Sequence, residues 1–127
     1  VDQLRIKLGS VEDAVQTLSG GNQQKVVIAK WLMAQPRVLL LNDPTRGIDV
    51  ATKQEIYLLL RQLASQGVAI LLYSTDYEEL IGLADRVAIM DEGRIARTLH
   101  GEEINEHAIV ASSLNVSLAP ATAEAGA

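Results

Sequence analysis

Two short apolar runs, Val38-Leu-Leu-Leu41 and Val68-Ala-Ile-Leu-Leu-Tyr73, bracket a stretch in which Ile56, Leu59, Leu60 and Leu63 recur at helical spacing. Unbroken runs of strand length are the pattern of strands buried on both faces of a parallel sheet. Two parallel neighbours need a long crossover, and the amphipathic stretch between them supplies it as a helix. Asp49 stands at the N-cap of that helix, and Gly67 at the C′ position that ends it. Strand, helix, strand predicts an α/β layered fold with a mostly parallel sheet. The first strand comes only at residue 38, so the sheet has few strands for its class. The chain therefore reads as the later part of a larger domain.

The remaining segments fit around this unit. Helix signals begin after Gly20-Gly21 and run to about Ala34, where Pro36 stops them. Ser74-Thr75-Asp76 supplies capping residues, Thr75 among them, for a short helix to about Leu83. Arg86–Met90 and Ile95–Leu99 flank Asp91-Glu-Gly-Arg94, which predicts a C-terminal hairpin. Glu102 to about Ala111 reads as helix, and the Ala/Ser-rich stretch 112–127 as a flexible tail. Residues 1–17 are polar and weakly patterned, with a break at Gly9-Ser10.

Composition narrows the function. A net charge of −5 argues against a nucleic-acid surface, which needs clustered Lys and Arg. With no cysteine, disulfides, thiolate metal sites and thiol nucleophiles are excluded, which fits a reducing compartment. No run approaches the roughly 20 apolar residues of a membrane span, so any membrane acts through a partner. The single Trp, three Tyr and absent Phe leave an aliphatic core, with Trp31 and Met33 expected as core or helix-packing residues. His100 and His107 have no paired ligand nearby in the sequence, and Glu78-Glu79 and Glu102-Glu103 read as solvated helix faces.

Two places carry chemistry. In Ser19-Gly20-Gly21-Asn22, glycines let a ligand approach the backbone at a helix start, where unpaired N–H groups and the positive dipole end attract phosphate. Ser19 adds a hydroxyl, or serves simply as the N-cap. Asn42-Asp43 follows the first strand directly, at the carboxyl edge where open α/β sheets bind ligands. A magnesium ligand and a water-activating carboxylate would stand there, or Asn-Asp-Pro makes only a turn. Thr75 lies at the corresponding edge of the second strand. Asp49 is read as a cap with a second role across an interface, and Arg46 as a residue that could reach a phosphate but more simply pairs at the surface.

Taken together these segments are more specific than any one of them. Leu18-Ser-Gly-Gly-Asn-Gln-Gln-Lys25 resembles the signature motif of the ATP-binding-cassette (ABC) ATPases. Val38 to Pro44 is similar to their Walker B strand, Pro44-Thr-Arg-Gly-Ile-Asp49 to the D-loop, and Leu72-Tyr-Ser-Thr-Asp76 to the switch-histidine segment. Asn22 with Gln-Gln-Lys after it, and the Pro-Thr-Arg-Gly-Ile-Asp-Val run, resemble the second cassette of ribose-, galactose- and xylose-type importer ATPases. The resemblance implies a P-loop NTPase-like fold lacking its N-terminal Walker A part, with residues 1–111 forming the C-terminal portion of a cassette. It implies ATP and Mg²⁺ as cofactors of the complete protein. It also implies a first cassette or second copy as partner, membrane permease subunits, and a peripheral place on the inner face of the bacterial membrane.

The departures from the family pattern are equally informative. Asn42 stands where the family has the magnesium-linked aspartate, and a neutral amide is a weaker ligand for a hard dication. Asp43 stands at the glutamate position with its carboxylate roughly 1–1.5 Å further back, and about 1 Å of misplacement can cost about 100-fold. Thr75 takes the switch-histidine position. Family geometry implies that Ser19–Asn22 completes a site whose Walker motifs belong to the partner cassette, while Asn42, Asp43 and Thr75 line a degenerate site. No glycine-rich loop with a lysine occurs in these residues, so the chain alone is expected to be inactive. Two alternatives are a non-catalytic cassette half acting in dimerisation or regulation, and a soluble ABC ATPase working on DNA or ribosomes.

Overall fold

Ser19 opens the first helix, α1 (Gly20–Leu32), by accepting a hydrogen bond from the Asn22 N–H. β1 (Val38–Asn42), α2 (Val50–Ser65) and β2 (Ala69–Tyr73) follow. The computed structural model describes residues 9, 10 and 12–118, which divide into two compact units, one up to Thr75 and one from Asp76.

In the first unit β1 and β2 pair in parallel, Val38 opposite Ala69 through Asn42 opposite Tyr73. This register brings the two carboxyl ends, and the polar residues after them, to one edge. α2 makes the crossover. It starts where the Asp49 carboxylate accepts the Thr52 N–H, and it buries Ile56 and Leu60 with Leu59 and Leu63 half-buried beside them. Gly67 ends it at φ 92°, a left-handed conformation that costs glycine nothing, while its N–H donates to the Ala64 carbonyl.

Burial of the sheet differs from expectation. Leu39 is buried and Leu41 half-buried, but Val38, Leu40, Leu71 and Tyr73 are open, Leu40 at 70% and Leu71 at 68%. Successive strand side chains point to opposite faces, and only one face is covered among the described residues. Trp31 and Met33, expected in packing, are exposed at 61% and 85%. The covered side of α1 follows Gly21, Lys25, Ile28 and Leu32, and Trp31 falls beside that row.

The second unit contains α3 (Tyr77–Leu83), the antiparallel hairpin β3 (Arg86–Asp91) and β4 (Arg94–His100), and α4 (Glu106–Leu118). Glu92 and Gly93 form the two-residue turn, both at positive φ (44° and 79°), the conformation whose twist matches the flanking strands. Val87, Ile89, Leu99, Ile104 and Ile109 make the core, with Leu80, Ala84 and Ala108 packed against it. Three local expectations are corrected. Asp76, not Thr75, caps α3, accepting from the Glu78 and Glu79 N–H groups. Glu79 is buried rather than solvated. α4 runs past Ala111 to Leu118, with Ser112 buried and its hydroxyl accepting from the Arg97 guanidinium at 3.0 Å. Residues 1–8, 11 and 119–127 lie outside the described residues.

Candidate functional site

At the start of α1 the Ser19 hydroxyl oxygen accepts from the Asn22 backbone N–H (3.4 Å) and from the Asn22 side-chain amide (3.1 Å). Both bonds use oxygen lone pairs, so the O–H proton remains a donor. The helix itself leaves the N–H groups of its first residues, Gly20 and Gly21, without acceptors. The two glycines then part company. A Cβ on Gly20 would meet nothing within 4 Å, whereas one on Gly21 would stand 2.5 Å from Thr52 Cγ2. Gly20 leaves the backbone open to a ligand. Gly21 is required by the approach of α2.

At the sheet edge, Asp43 directly follows β1 at φ 43°, in the left-handed region that aspartate tolerates better than most residues. Its N–H donates to the Tyr73 carbonyl at 2.8 Å. Its Oδ1 accepts from the Thr75 N–H at 2.8 Å and from the Thr75 hydroxyl at 3.1 Å. The parallel register therefore joins Asp43 and Thr75, and Thr75 acts as a clamp on the carboxylate, not as a helix cap. Asn42 ends β1 as an exposed residue. Between Asp43 and Asp49 the chain turns tightly, with the Arg46 N–H on the Asp43 carbonyl (3.2 Å), Pro44 and Thr45 buried, and Gly47 at φ 72°. Asp49 receives the Thr52 N–H (3.0 Å) on one carboxylate oxygen and the Thr52 hydroxyl (2.8 Å) on the other. These bonds hold its carboxyl below the usual value near 3.8.

An ABC transporter family profile matches residues 1–46. The ribose import ATP-binding protein RbsA 1 of Rhizobium johnstonii is 64% identical over 114 residues, covering 90% of this chain and 22% of that protein. The RbsA 1 protein of Streptomyces coelicolor is 50% identical over 111 residues, covering 87% of this chain and 22% of that protein. The chain thus spans about a fifth of the length of the relatives it matches. Among solved structures, a dimeric ATP-binding cassette in a post-hydrolysis state bound to ADP and Pi superposes with TM-score 0.69 at 25% identity, over 78% of this chain and 43% of that one. A nucleotide-free cassette of an ABC transporter superposes with TM-score 0.71 at 21% identity, over 82% and 42%.

The chain is part of an ABC transporter ATPase domain. Its fold is that of the P-loop NTPase cassettes, present in part.

Within this cassette fragment the donor set at the sheet edge fits a magnesium ion poorly. It offers one neutral amide and one carboxylate whose Oδ1 already accepts two hydrogen bonds. Among the described residues no group of three or more His, Asp or Glu side chains could hold a metal. The helix start fits an anion better, with two backbone N–H groups, a hydroxyl and an open glycine. Sequence reasoning did not single out Thr52, although it touches Gly21 and holds Asp49. Its only signal was its place three residues after an N-cap aspartate, where an N–H is always sought.

Proposed function

We propose that the parent protein is the cytoplasmic ATPase of a carbohydrate importer, bound to the inner face of the membrane through permease subunits. This chain supplies Ser19–Asn22 to the ATP held by the Walker motifs of a partner cassette. The similarity to ribose import ATP-binding proteins supports a sugar as cargo. No helix among the described residues is long and apolar enough to cross a membrane.

The observation that carries this reading is the contrast between the two polar sites. The Ser19 hydroxyl keeps its proton for a ligand while capping α1 with its lone pairs. Asp43 is fastened to Thr75 at the edge of its own sheet. The helix start can place two N–H groups and a hydroxyl on phosphate oxygens, where charge stabilisation does most of the work of phosphoryl transfer. Asp43 can orient a water through Oδ2, but from a shorter side chain than the family glutamate. The partner's site accordingly hydrolyses ATP, and the site lined by Asn42, Asp43 and Thr75 binds nucleotide and turns over slowly.

The test is Ser19→Arg in the complete protein, which puts a bulky cation where the donors converge. ATPase activity is expected to fall about 100-fold, the usual cost of losing one oxyanion-type donor. Unchanged activity would favour the reading in which the cassette half serves only dimerisation or regulation.

A further inference from the structure

Thr52 joins two elements that the proposed function uses separately. Its methyl group faces the helix start, since a Cβ on Gly21 would stand 2.5 Å from Thr52 Cγ2 and 3.0 Å from its Cβ and Oγ1. Its N–H and hydroxyl together occupy both carboxylate oxygens of Asp49, at 3.0 and 2.8 Å. Threonine is β-branched, and its χ1 angle is stiff. With the methyl lodged against Gly21, the hydroxyl has one direction left, and that direction is Asp49. One turn further along both helices, the buried Lys25 ammonium pairs with the Glu55 carboxylate, a second tie between α1 and α2. The helix start and the turn that ends at Asp49 are thus one mechanical piece, and Thr52 is the pin.

We propose that Thr52 is a positioning residue that couples the phosphate-facing turn Ser19–Asn22 to Asp49, so that nucleotide engaged at the first is felt at the second. This inference rests on the reading that Ser19–Asn22 serves a partner's ATP. Without the hydroxyl, Asp49 loses the bond to its Oδ2 and keeps the Thr52 N–H on Oδ1, so its carboxylate is held less firmly. Without the methyl, α1 gains slack against α2.

The experiment uses the complete protein with Mg-ATP and four variants: Thr52→Val, Thr52→Ser, Asp49→Asn and Thr52→Val/Asp49→Asn. Valine keeps the methyl against Gly21 and loses the hydroxyl, and serine does the reverse. Each single variant is expected to lower kcat about three- to tenfold, with KM for ATP within about twofold, the range of coupling between contacting residues. The double variant is expected to be no slower than Asp49→Asn alone. A merely structural Thr52 would lower the unfolding midpoint and leave the two effects on kcat additive, which would overturn the proposal. So would a folded Thr52→Val protein with the wild-type kcat. Ser19→Arg is measured beside them. If it retains ATPase activity, the reading of the helix start fails and the Thr52 inference falls with it. If it is inactive while Thr52→Val keeps the wild-type kcat, only the Thr52 inference is lost.

Discussion

The start of α1 and the carboxyl edge of the β1–β2 pair are both polar ends of regular elements, and they have opposite fates. At the helix start, hydrogen bonding inside the protein leaves donors over, because a helix cannot satisfy its own first N–H groups. At the sheet edge, the Asp43 carboxylate is engaged internally, with Oδ1 accepting twice from Thr75. A site meant for an outside ligand keeps unspent donors. At the sheet edge the polar groups are turned on each other. On this view Asp43 and Thr75 form a matched pair, in which a shorter acid and a shorter hydrogen-bonding partner reach one another across adjacent strand ends.

The largest effect that bears on this contrast is a repair. Asn42→Asp with Asp43→Glu in the complete protein supplies a second carboxylate and a longer acid. Single-turnover hydrolysis at that site is expected to rise about 100-fold, the scale of a 1 Å correction in position. No rise would break the contrast by showing that the edge is not degraded in this way. Next come the two glycines. Gly21→Ala is expected to cost about 1–3 kcal/mol by overpacking against Thr52, while Gly20→Ala changes stability by less than about 0.5 kcal/mol. Equal costs, read from denaturant midpoints, would erase the division of labour between them. Smaller still is Thr75→Val, which removes one of the two bonds to Asp43 and keeps the other. It is expected to cost about 0.5–1.5 kcal/mol, with faster exchange of the Thr75 amide proton as the local reporter.

The smallest effect is one of pH. The Thr52 N–H and hydroxyl lower the Asp49 pKa in the folded protein, so folding is favoured by this group at pH values above its ordinary value near 3.8. That contribution is lost as pH falls from there through the lowered folded value. Thr52→Val should move the Asp49 titration, followed by carboxyl-carbon NMR, upward toward the ordinary value. An unmoved titration would mean that the hydroxyl bond to Asp49 does not form in solution.

Much of this is legible in the sequence. The strand–helix–strand order followed from the spacing of Ile56, Leu59, Leu60 and Leu63 between two apolar runs, and the caps Ser19, Asp49 and Gly67 are local chemistry that a sequence states directly. The hairpin was equally local, because Glu92-Gly93 suits its turn. The clamp of Thr75 on Asp43 was not readable, since it depends on the parallel register of β1 and β2 and joins residues far apart in the chain. Nor was the contact of Gly21 with Thr52, which comes from helix packing. The apolar runs correctly marked strands but overstated their burial. Side chains such as Leu40 and Leu71 are composed for a two-sided environment, and the described residues cover one side. The β3–β4 hairpin shows the complementary case, with Val87, Ile89 and Leu99 alone turned to a core that α4 completes within the same unit.

The most direct test compares Ser19→Arg with Asp43→Asn in the complete protein, each mixed with Mg-ATP and followed through a single turnover. If the helix start serves the hydrolysing site and the sheet edge the slow one, Ser19→Arg abolishes the fast phase, and Asp43→Asn leaves its rate within about twofold. A fast phase that survives Ser19→Arg and disappears with Asp43→Asn would contradict that assignment.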